Sequence, residues 1–219
     1  MTSSPHPTEH QQPHLTVTAT VNTRAVSINL HVHQGETLAL VGPNGSGKTT
    51  TLEVIAGLLA PDTGHITLNG RTLVDNTTWT PAHQRGIVLA TQHTHLFPHL
   101  TVLDNVAFGP RAHGHPRHSA HDTARHWLTE VNAAHLAHRR AHQLSGGEAQ
   151  RVNIARTLAA DPHIILLDEP TASLDAHAAP DIRELLTEIL TNRTTILVSH
   201  NTADIDALAD RVLTLHHMN

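Results

Sequence analysis

Residues 42–49 read Gly42-Pro43-Asn44-Gly45-Ser46-Gly47-Lys48-Thr49, which fits the pattern G-x-x-x-x-G-K-[ST]. The apolar segment Thr37–Val41 precedes this stretch, and a helical pattern from about Lys48 to Leu58 follows it. A strand, a glycine-rich loop and a helix in that order bind phosphate, because the glycines let backbone N–H groups turn inward at a helix N-terminus. We therefore predict a phosphate site, with Lys48 on the β- and γ-phosphates and Thr49 on Mg²⁺.

Composition narrows the class of protein. The 219 residues carry 14 basic and 19 acidic side chains, a net charge of −5 and no cysteine. These features argue against nucleic-acid binding, a disulfide framework and a thiolate metal site. No apolar run reaches the roughly 20 residues of a membrane helix, and the first residues lack a signal-peptide pattern. We expect a cytoplasmic chain, whose only lysine, Lys48, points to chemistry that its thirteen arginines do not perform.

Short apolar runs alternate with helical patterns, which predicts an α/β fold with a mainly parallel core sheet. Residues 1–13 are polar and proline-rich and are expected to form a disordered lead-in, which leaves a single domain over residues 14–219. A helical subdomain is predicted over about 93–160, with a loop at Gly109–Pro116. The other predicted elements are strands, of which the first two form a hairpin: Leu15–Thr20, Val26–Val32, His65–Asn69, Ile87–Thr91, Ile164–Leu167, Thr195–Val198 and Arg211–Leu215.

Two adjacent carboxylates end a buried apolar run. Ile164–Leu167 is followed directly by Asp168 and Glu169. In a phosphate-binding enzyme, Asp168 is placed to contact Mg²⁺, and Glu169 is placed to act as the base that orients a water on the γ-phosphate. Taken alone, the pair is also compatible with a strand that runs into an acidic helix cap at Pro170-Thr171.

Further motifs turn these features into a family resemblance. The stretch Leu144-Ser145-Gly146-Gly147-Glu148-Ala149-Gln150 resembles the signature motif of ATP-binding cassette (ABC) ATPases. Gln92 resembles the Q-loop glutamine of that family, Ser173-Leu174-Asp175 its D-loop, and His200 its switch histidine. These motifs cover nearly the whole chain from Leu15 onward. The resemblance implies the ABC-ATPase form of the P-loop NTPase fold, with an antiparallel β subdomain and a helical subdomain beside the core sheet.

The resemblance also implies a mechanism shared between two chains. In such ATPases a homodimer closes on two ATP molecules with Mg²⁺, and each site pairs Gly42–Thr50 of one copy with residues 145–147 of the other. Glu169 is then expected to be the general base and His200 to contact the γ-phosphate, while the Q-loop glutamine senses Mg²⁺ and nucleotide. Asp175 is expected to cross the dimer interface.

One position departs from the family pattern. Many of these ATPases stack the adenine on an aromatic residue upstream of the phosphate loop, but none of the four Phe and Trp residues here precedes Lys48. Counting back from Gly35-Glu36 places the equivalent position near Ala19. Base stacking contributes on the order of 1–3 kcal/mol in nucleic-acid systems. We therefore expect weaker ATP binding, or partial cover of the base by Arg24.

Three stretches near the Q-loop resemble importer ATPases for oxyanions, and the molybdate type most closely: Pro81–Ile87, Leu96–Val102 and Asn105–Gly109. In those proteins this region receives a helix of an integral-membrane permease, which a solute-binding protein serves, so the ATPase lies on the inner face of the membrane. Leu96 and Phe97 are accordingly predicted to be exposed docking residues. The alternative is that both fill the core of the helical subdomain.

Several assignments stay open at this point. Importers of sulfate, iron, thiamine or polyamines fit the same motifs, and so does a non-transport ABC ATPase or a cassette that binds ATP only to regulate. Because the chain stops at Asn219, we expect it to lack the C-terminal regulatory domain that molybdate-type ATPases often carry. Four closely spaced histidines suggest a metal site, but 23 histidines are spread along the chain, so a solvated surface is expected instead. These histidines are His113, His115, His118 and His121.

Overall fold

The computed structural model describes residues 14–216, and the predicted lead-in at 1–13 lies outside the described residues. Over that range the strands are β1 (Leu15–Val21), β2 (Val26–Val32), β3 (Thr37–Val41), β4 (Thr63–Leu68), β5 (Arg71–Val74), β6 (Ile87–Ala90), β7 (Ile164–Asp168), β8 (Thr195–Val198) and β9 (Arg211–Thr214). The α-helices are α1 (Lys48–Ala56), α2 (Val102–Val106), α3 (Phe108–Ala112), α4 (Arg117–Glu130), α5 (Gly146–Ala159), α6 (Ala178–Ile189) and α7 (Thr202–Leu208).

The strands form two sheets. Four pair in the order β2-β1-β4-β5 with every neighbour antiparallel, and five pair in the order β6-β7-β8-β3-β9 with every neighbour parallel. In the five-stranded sheet the carboxyl ends of all strands meet at one edge. The crevice beyond that edge is where open α/β sheets bind their ligands.

Alternation along the central strands divides the interior into two cores. Ile164 and Leu166 of β7 pack with the antiparallel sheet and α1, whereas Ile165 and Leu167 pack with α4 and α5. Successive side chains of a strand point to opposite faces, so a continuous apolar run requires cover on both. The parallel sheet therefore lies between the β subdomain and the helices, with its strand ends left free.

The observed architecture confirms the predicted α/β fold, including the hairpin of β1 and β2. The predicted strands agree with the observed ones to within about two residues at each end. The domain limits of 14–219 and about 93–160 stay predictions. Within residues 14–216, no helix combines the length and the apolar character needed to span a membrane.

The prediction of a loop over Gly109–Pro116 is wrong in its first part. Residues Phe108–Ala112 form α3, and only residues 113–116 connect it to α4. Pro110 lies in the first turn of α3, where a backbone N–H has no intrahelical partner, so proline is tolerated there. A Cβ at Gly109 would lie 2.8 Å from Cβ of Ala160, so the glycine lets α3 approach the end of α5 closely.

Candidate functional site

The loop between β3 and α1 depends on glycine for its shape. Gly42, Gly45 and Gly47 have φ angles of 146°, 82° and 92°, in the region that favours glycine. A Cβ at Gly42 would lie 2.5 Å from the carbonyl oxygen of Leu215, and one at Gly47 would lie 2.6 Å from Cγ2 of Val26. Side chains at these two positions are therefore excluded by the fold of the chain itself.

Helix α1 begins directly after this loop and presents its N-terminus to it. Gly47, the N-cap residue, provides no side-chain acceptor for the first turn. Lys48 is 7% exposed, and its Nζ donates to the carbonyl oxygens of Gly42 at 2.8 Å and Pro43 at 3.0 Å. The ammonium charge and the positive end of the helix dipole thus act on the same place, which favours an anion.

These groups border a cleft of about 560 Å³ at the carboxyl edge of the parallel sheet. The lining residues are Arg24, Val26, Asn44, Gly45, Gly47, Lys48, Thr49, Thr50, Gln92, Asp168, Glu169, Ala172, Val198 and His200. Three predicted loop residues, Gly42, Pro43 and Ser46, are not among them, and Ser46 is buried. The cleft therefore brings together the predicted residues that follow β3, β6, β7 and β8.

Asp168 ends β7 beside the first turn of α1. Its Oδ2 accepts a hydrogen bond from Oγ1 of Thr49 at 3.3 Å. Burial raises the pKa of Asp168, and the like charge of Glu53 acts in the same direction, while the Thr49 hydrogen bond opposes both. The carboxylate is thus held in a partly dehydrated place where a cation would stabilise its charge.

The oxygens of Thr49 and Asp168 fit Mg²⁺. This ion prefers hard oxygen ligands and usually keeps several waters while it binds phosphate and one or two carboxylates. Among residues 14–216, no cluster of three or more His, Cys, Asp or Glu side chains is arranged to hold a metal by itself. The pair therefore suits an ion that arrives with a phosphate ligand better than one held by a protein cage.

Glu169 follows in a left-handed backbone conformation, with a φ of 52°. Its N–H donates to the carbonyl oxygen of Val198 at 2.8 Å, and its Oε2 accepts from the backbone N–H of His200 at 3.2 Å. Oε1 lies 3.5 Å from Nε2 of His200, is buried and has no hydrogen-bond partner among the described residues. The structure therefore places a carboxylate with a free acceptor atom at the cleft, which is what a base for water requires.

Gln92 follows β6, is exposed and lines the cleft. Its backbone carbonyl accepts a hydrogen bond from Oγ of Ser173 at 3.2 Å. The segment after β6 is thereby tied to the segment after β7, so the predicted Q-loop and D-loop meet within one chain.

The predicted signature residues Ser145, Gly146 and Gly147 do not line the cleft. Ser145 caps α5: its Oγ accepts from the N–H of Glu148 at 3.3 Å, and its own N–H donates to Oε2 of Glu148 at 2.8 Å. This reciprocal pair is a capping box. A single chain thus supplies a well-formed helix N-terminus that lies outside the cleft.

Asp175 also lies outside the cleft. Its Oδ1 accepts from the backbone N–H groups of His177 at 2.9 Å and Ala178 at 2.8 Å. These hydrogen bonds, that of Ala178 first, lower the pKa of Asp175. Within one chain the residue shapes the approach to α6, and its predicted role across a dimer interface stays a prediction.

Comparison with known proteins decides the family. A family model described as ABC transporter matches residues 26–172. The chain belongs to the ABC transporter family. The matched segment begins with β2 and ends just after the Asp168-Glu169 pair, so it contains the phosphate loop, the Q-loop, the signature and the acidic strand.

The ABC chain is similar to several importer components. It is 46% identical over 209 residues to the molybdenum import ATP-binding protein ModC of Mycobacterium tuberculosis, covering 92% of this chain and 57% of that protein. It is 42% identical over 191 residues to the sulfate/thiosulfate import ATP-binding protein CysA of Mycobacterium bovis, covering 86% and 53%. It is 40% identical over 203 residues to the Fe(3+) ions import ATP-binding protein FbpC 2 of Pectobacterium atrosepticum, covering 91% and 58%. The chain thus spans little more than half the length of these relatives.

The predicted position of an adenine-stacking residue in this ABC chain is wrong. Ala19 is 2% exposed within β1 and does not line the cleft. Counting from the sequence could not show that this strand turns the side chain into the core. The residues of this edge that reach the cleft are Arg24 and Val26, and Val26 gave no sequence signal for ligand contact, because a β-branched residue at a strand start is ordinary.

Arg24 borders the cleft, and residues of α1 hold its guanidinium in place. Its guanidinium donates to Oγ1 of Thr50 at 3.1 Å and pairs with the carboxylate of Glu53. Its side chain remains 44% exposed. Cover of the adenine by Arg24 stays a prediction.

Leu96 and Phe97 are both half-buried rather than exposed, which corrects the sequence analysis. Leu96 packs against the core of the helices, so the alternative interpretation holds for this residue. Phe97 lies at a second cleft, of about 420 Å³, together with Phe108, and their ring centroids are 4.7 Å apart. Phe108 is 48% exposed, so this ABC protein presents an aromatic groove beside its Q-loop.

The four closely spaced histidines do not converge. Nδ1 of His118 is 3.0 Å from Asp122, and Nε2 of His121 is 3.0 Å from Asp104. His118 pairs with a residue of its own helix, α4, whereas His121 pairs with a residue of α2, so these two side chains have different partners. The expectation of a solvated surface instead of a metal site stays a prediction.

Proposed function

We propose that the chain is the ATP-hydrolysing subunit of an ABC importer for molybdate or a related oxyanion. The observation that carries the proposal is the convergence, in one cleft, of a phosphate loop with Lys48, an oxygen pair for Mg²⁺ and a carboxylate beside a histidine. ATP is the substrate that uses all three, because its phosphates need cations and its hydrolysis needs a base near the γ-phosphate.

Hydrolysis follows from the placement of Glu169. Its free Oε1 accepts a proton from a water whose oxygen attacks the γ-phosphorus, while the bond from that phosphorus to the bridging oxygen of ADP breaks. Lys48 and the N-terminus of α1 stabilise the charge on the phosphate oxygens. His200, adjacent to Glu169, is positioned to contact the γ-phosphate. Thr49 and Asp168, with Gln92 nearby, would hold Mg²⁺, which would supply positive charge to the phosphates.

The second half of each site is proposed to come from a second copy of the chain. In one chain the capped N-terminus of α5 lies outside the cleft, although its backbone N–H groups are of the kind that bind phosphate. A head-to-tail homodimer would place residues 145–147 of one copy opposite the phosphate loop of the other. Each pair of chains then holds two composite sites.

Replacing Glu169 by Gln tests the enzymatic proposal. The amide keeps the shape of the side chain but accepts protons poorly, so we expect ATP binding to be retained, turnover to fall below about 1% of that of the unmodified chain, and an ATP-bound dimer to accumulate. Phosphate release, nucleotide binding and sedimentation measure the three properties. Glu188→Gln, an exposed change on α6, is the matched control, and fast hydrolysis by Glu169→Gln would refute the assignment of the base.

The transport partner is proposed to dock on the aromatic groove at Phe97. Arg156 stabilises this groove, since its guanidinium lies 5.8 Å from the Phe97 ring centroid and donates to the carbonyl oxygens of Thr94 and His95. An apolar groove with a fixed cationic edge suits a short amphipathic helix. An integral-membrane permease would supply such a helix, and the chain would then lie on the inner face of the cell membrane.

Copurification from membranes tests the partner and the solute together. We expect the tagged chain to bring down a permease and, through it, an oxyanion-binding protein, and Phe97→Asp to abolish this recovery without lowering ATP affinity. Recovery of a permease with a binding protein for iron, thiamine or polyamines would keep the importer and change the solute. Recovery of ribosomal or DNA-repair proteins would replace the transport proposal by a non-transport ABC ATPase.

A further inference from the structure

A completely buried carboxylate lies behind the nucleotide cleft. Asp204, in the first turn of α7, is 0% exposed. Its Oδ1 accepts from Nε of Arg183 on α6 at 2.8 Å. Its Oδ2 accepts from the hydroxyl of Thr171, and from Oγ of Ser199 at 3.0 Å. One side chain thereby joins two helices to the segments that leave β7 and β8.

Such an arrangement contributes little net free energy to the stability of a fold. A buried carboxylate loses its hydration, and pairing with one arginine rarely stabilises a protein more than well-packed apolar side chains would. Here three donors from three different segments converge on the two carboxylate oxygens, so the cluster specifies where those segments lie. Arg183 keeps only 19% of its side chain exposed, which leaves the ion pair little water.

The two hydroxyls that Asp204 binds belong to the segments that carry the proposed catalytic groups. Thr171 is two residues after Glu169, and Ser199 directly precedes His200. Oγ of Ser199 also accepts from the N–H of Asn201 at 3.1 Å, which fixes the turn that holds His200. Glu169 needs such support, because its left-handed φ of 52° is unfavourable for a residue with a side chain.

We propose that Asp204 is a positioning residue for ATP hydrolysis: it holds the segments after β7 and β8 in register, so that Glu169 and His200 meet at the γ-phosphate. The inference rests on the proposed ATPase function. Asp204 touches neither nucleotide nor water in this role and acts only through Thr171 and Ser199. The phosphate loop and α1 lie outside the cluster, so binding of ATP should not depend on it.

Asp204→Asn is the decisive variant, measured in the full chain. The amide removes the negative charge that pairs with Arg183 and turns one oxygen into a donor, so either Arg183 or the two hydroxyls lose the acceptor to which they now donate. We expect kcat for ATP hydrolysis to fall about 10- to 100-fold, because displacement of a catalytic group by about 1 Å has effects of that size. The Kd for ATP should change by less than about threefold. Asp206→Asn, the same change on an exposed residue of α7, should leave both values unaltered.

Ser199→Ala is the milder variant, since it removes one hydroxyl and keeps the ion pair of Asp204 with Arg183. We expect its kcat to fall about three- to tenfold with the Kd for ATP unchanged. If Asp204→Asn does not fold, as judged by thermal unfolding, this variant decides: a normal kcat in Ser199→Ala overturns the inference.

The possible outcomes distinguish this inference from the proposed ATPase function on which it rests. An active unmodified chain together with a normal kcat in folded Asp204→Asn overturns the positioning role alone. A loss of ATP affinity that equals the loss in kcat also overturns it, because the cleft as a whole would then be disturbed. An unmodified chain that binds ATP without any hydrolysis overturns the ATPase proposal, and the positioning role with it.

Discussion

The phosphate loop and the signature segment both place glycines before a helix, but for different reasons. At Gly42 and Gly47 a side chain would collide with atoms 2.5–2.6 Å away, and the backbone has a positive φ. At Gly146 a Cβ would lie 3.8 Å from Leu174, and at Gly147 it would lie 3.3 Å from Ala178. The first loop needs glycine to fold, whereas the second has room or nearly enough room for a side chain in the isolated chain.

This difference indicates how each of the two parts of the proposed composite site is completed. The phosphate loop is fitted to its own chain, so its cleft is formed before any partner arrives. The N-terminus of α5 is open, and glycine there is best explained by something that must approach its backbone closely from outside. A γ-phosphate held by a second copy is the approaching group in the proposed dimer.

The largest effect is expected from a charge in the open segment. Gly146→Glu fits the chain, and a carboxylate in the first turn is compatible with α5. It would repel a γ-phosphate, so we predict at least about a 100-fold loss of hydrolysis, as large as the loss of an oxyanion donor, with unfolding temperature and ATP binding unchanged. Phosphate release measures the loss of hydrolysis, and titration with ATP measures whether binding is unchanged. A fall in ATP affinity of the single chain would show that the two regions are not separate.

Mixing this variant with a variant of the phosphate loop sharpens the same test, at an ATP concentration well below the raised Kd that we predict for Lys48→Ala. Equal amounts of Gly146→Glu and Lys48→Ala should regain roughly a quarter of the normal activity, because half of the dimers would be mixed and each would hold one intact site of two. The two variants measured alone are the controls. No recovery on mixing would contradict a head-to-tail arrangement.

The next largest effect is predicted for the phosphate loop itself. Lys48→Ala removes a buried ammonium group, and hydrogen bonds to charged groups contribute about 1.5–3 kcal/mol. We expect the Kd for ATP to rise about 10- to 100-fold, as measured by equilibrium titration with Mg²⁺ present. Arg71→Ala, at an exposed residue of β5, should bind ATP normally. An unchanged Kd in Lys48→Ala would refute the assignment of the loop.

Replacing one glycine of each region by alanine should change the free energy of unfolding by different amounts. Gly47→Ala places a Cβ against Val26 at a positive φ and should lower the free energy of unfolding by about 1–3 kcal/mol. Gly146→Ala, at a helical position with space, should change it by less than about 1 kcal/mol, in the stabilising direction. Denaturant titration compares the two, and equal losses would remove the distinction.

The smallest effect is predicted for Asp168→Asn. Burial raises the pKa of Asp168, so between its ordinary value of about 3.8 and its raised folded value the folded state binds more protons than the unfolded state. The free energy of unfolding then falls as the pH rises through that window, so the ionised carboxylate destabilises the folded state at pH 7. The amide should therefore raise Tm at pH 7, and this difference should shrink as the pH falls below about 3.8, where both states become protonated.

The same substitution should weaken the effect of Mg²⁺ on ATP binding, because one carboxylate oxygen and the negative charge are lost while Thr49 remains. Thermal unfolding at both pH values, with and without Mg²⁺ and ATP, measures the two consequences. A lower Tm at pH 7 without ligand would show that Asp168 stabilises the chain in its own right.

Much of the fold and of the cleft is predictable from local patterns. The strand before Gly42 and the acidic strand before Asp168 are continuous apolar runs, and both proved to be central strands. Because the sheet is parallel, their carboxyl ends lie at the same edge, and the phosphate loop and the two acids lie there with only β8 between their strands. Gln92 and His200 join them for the same reason.

Other features depend on contacts that no local pattern encodes. The orientation of Ala19 is set by pairing with two neighbouring strands, and α3 is stabilised by packing near Ala160 although it contains Pro110. Asp204 looks like an ordinary acidic residue at the start of a helix, a position where carboxylates are common. Its proposed role emerges only when the segment after β7, helix α6 and the turn after β8 fold around it.

The burial of the only lysine has a consequence for chemical labelling. Amine-directed reagents have a single side-chain target in this chain, Lys48, and its Nζ is occupied by two carbonyl oxygens of the phosphate loop. Acylation of the ε-amine is therefore slow in the folded state and reports on the opening of one loop, with no background from other lysines. Lys48 is therefore a single labelling site that lies in the proposed active site.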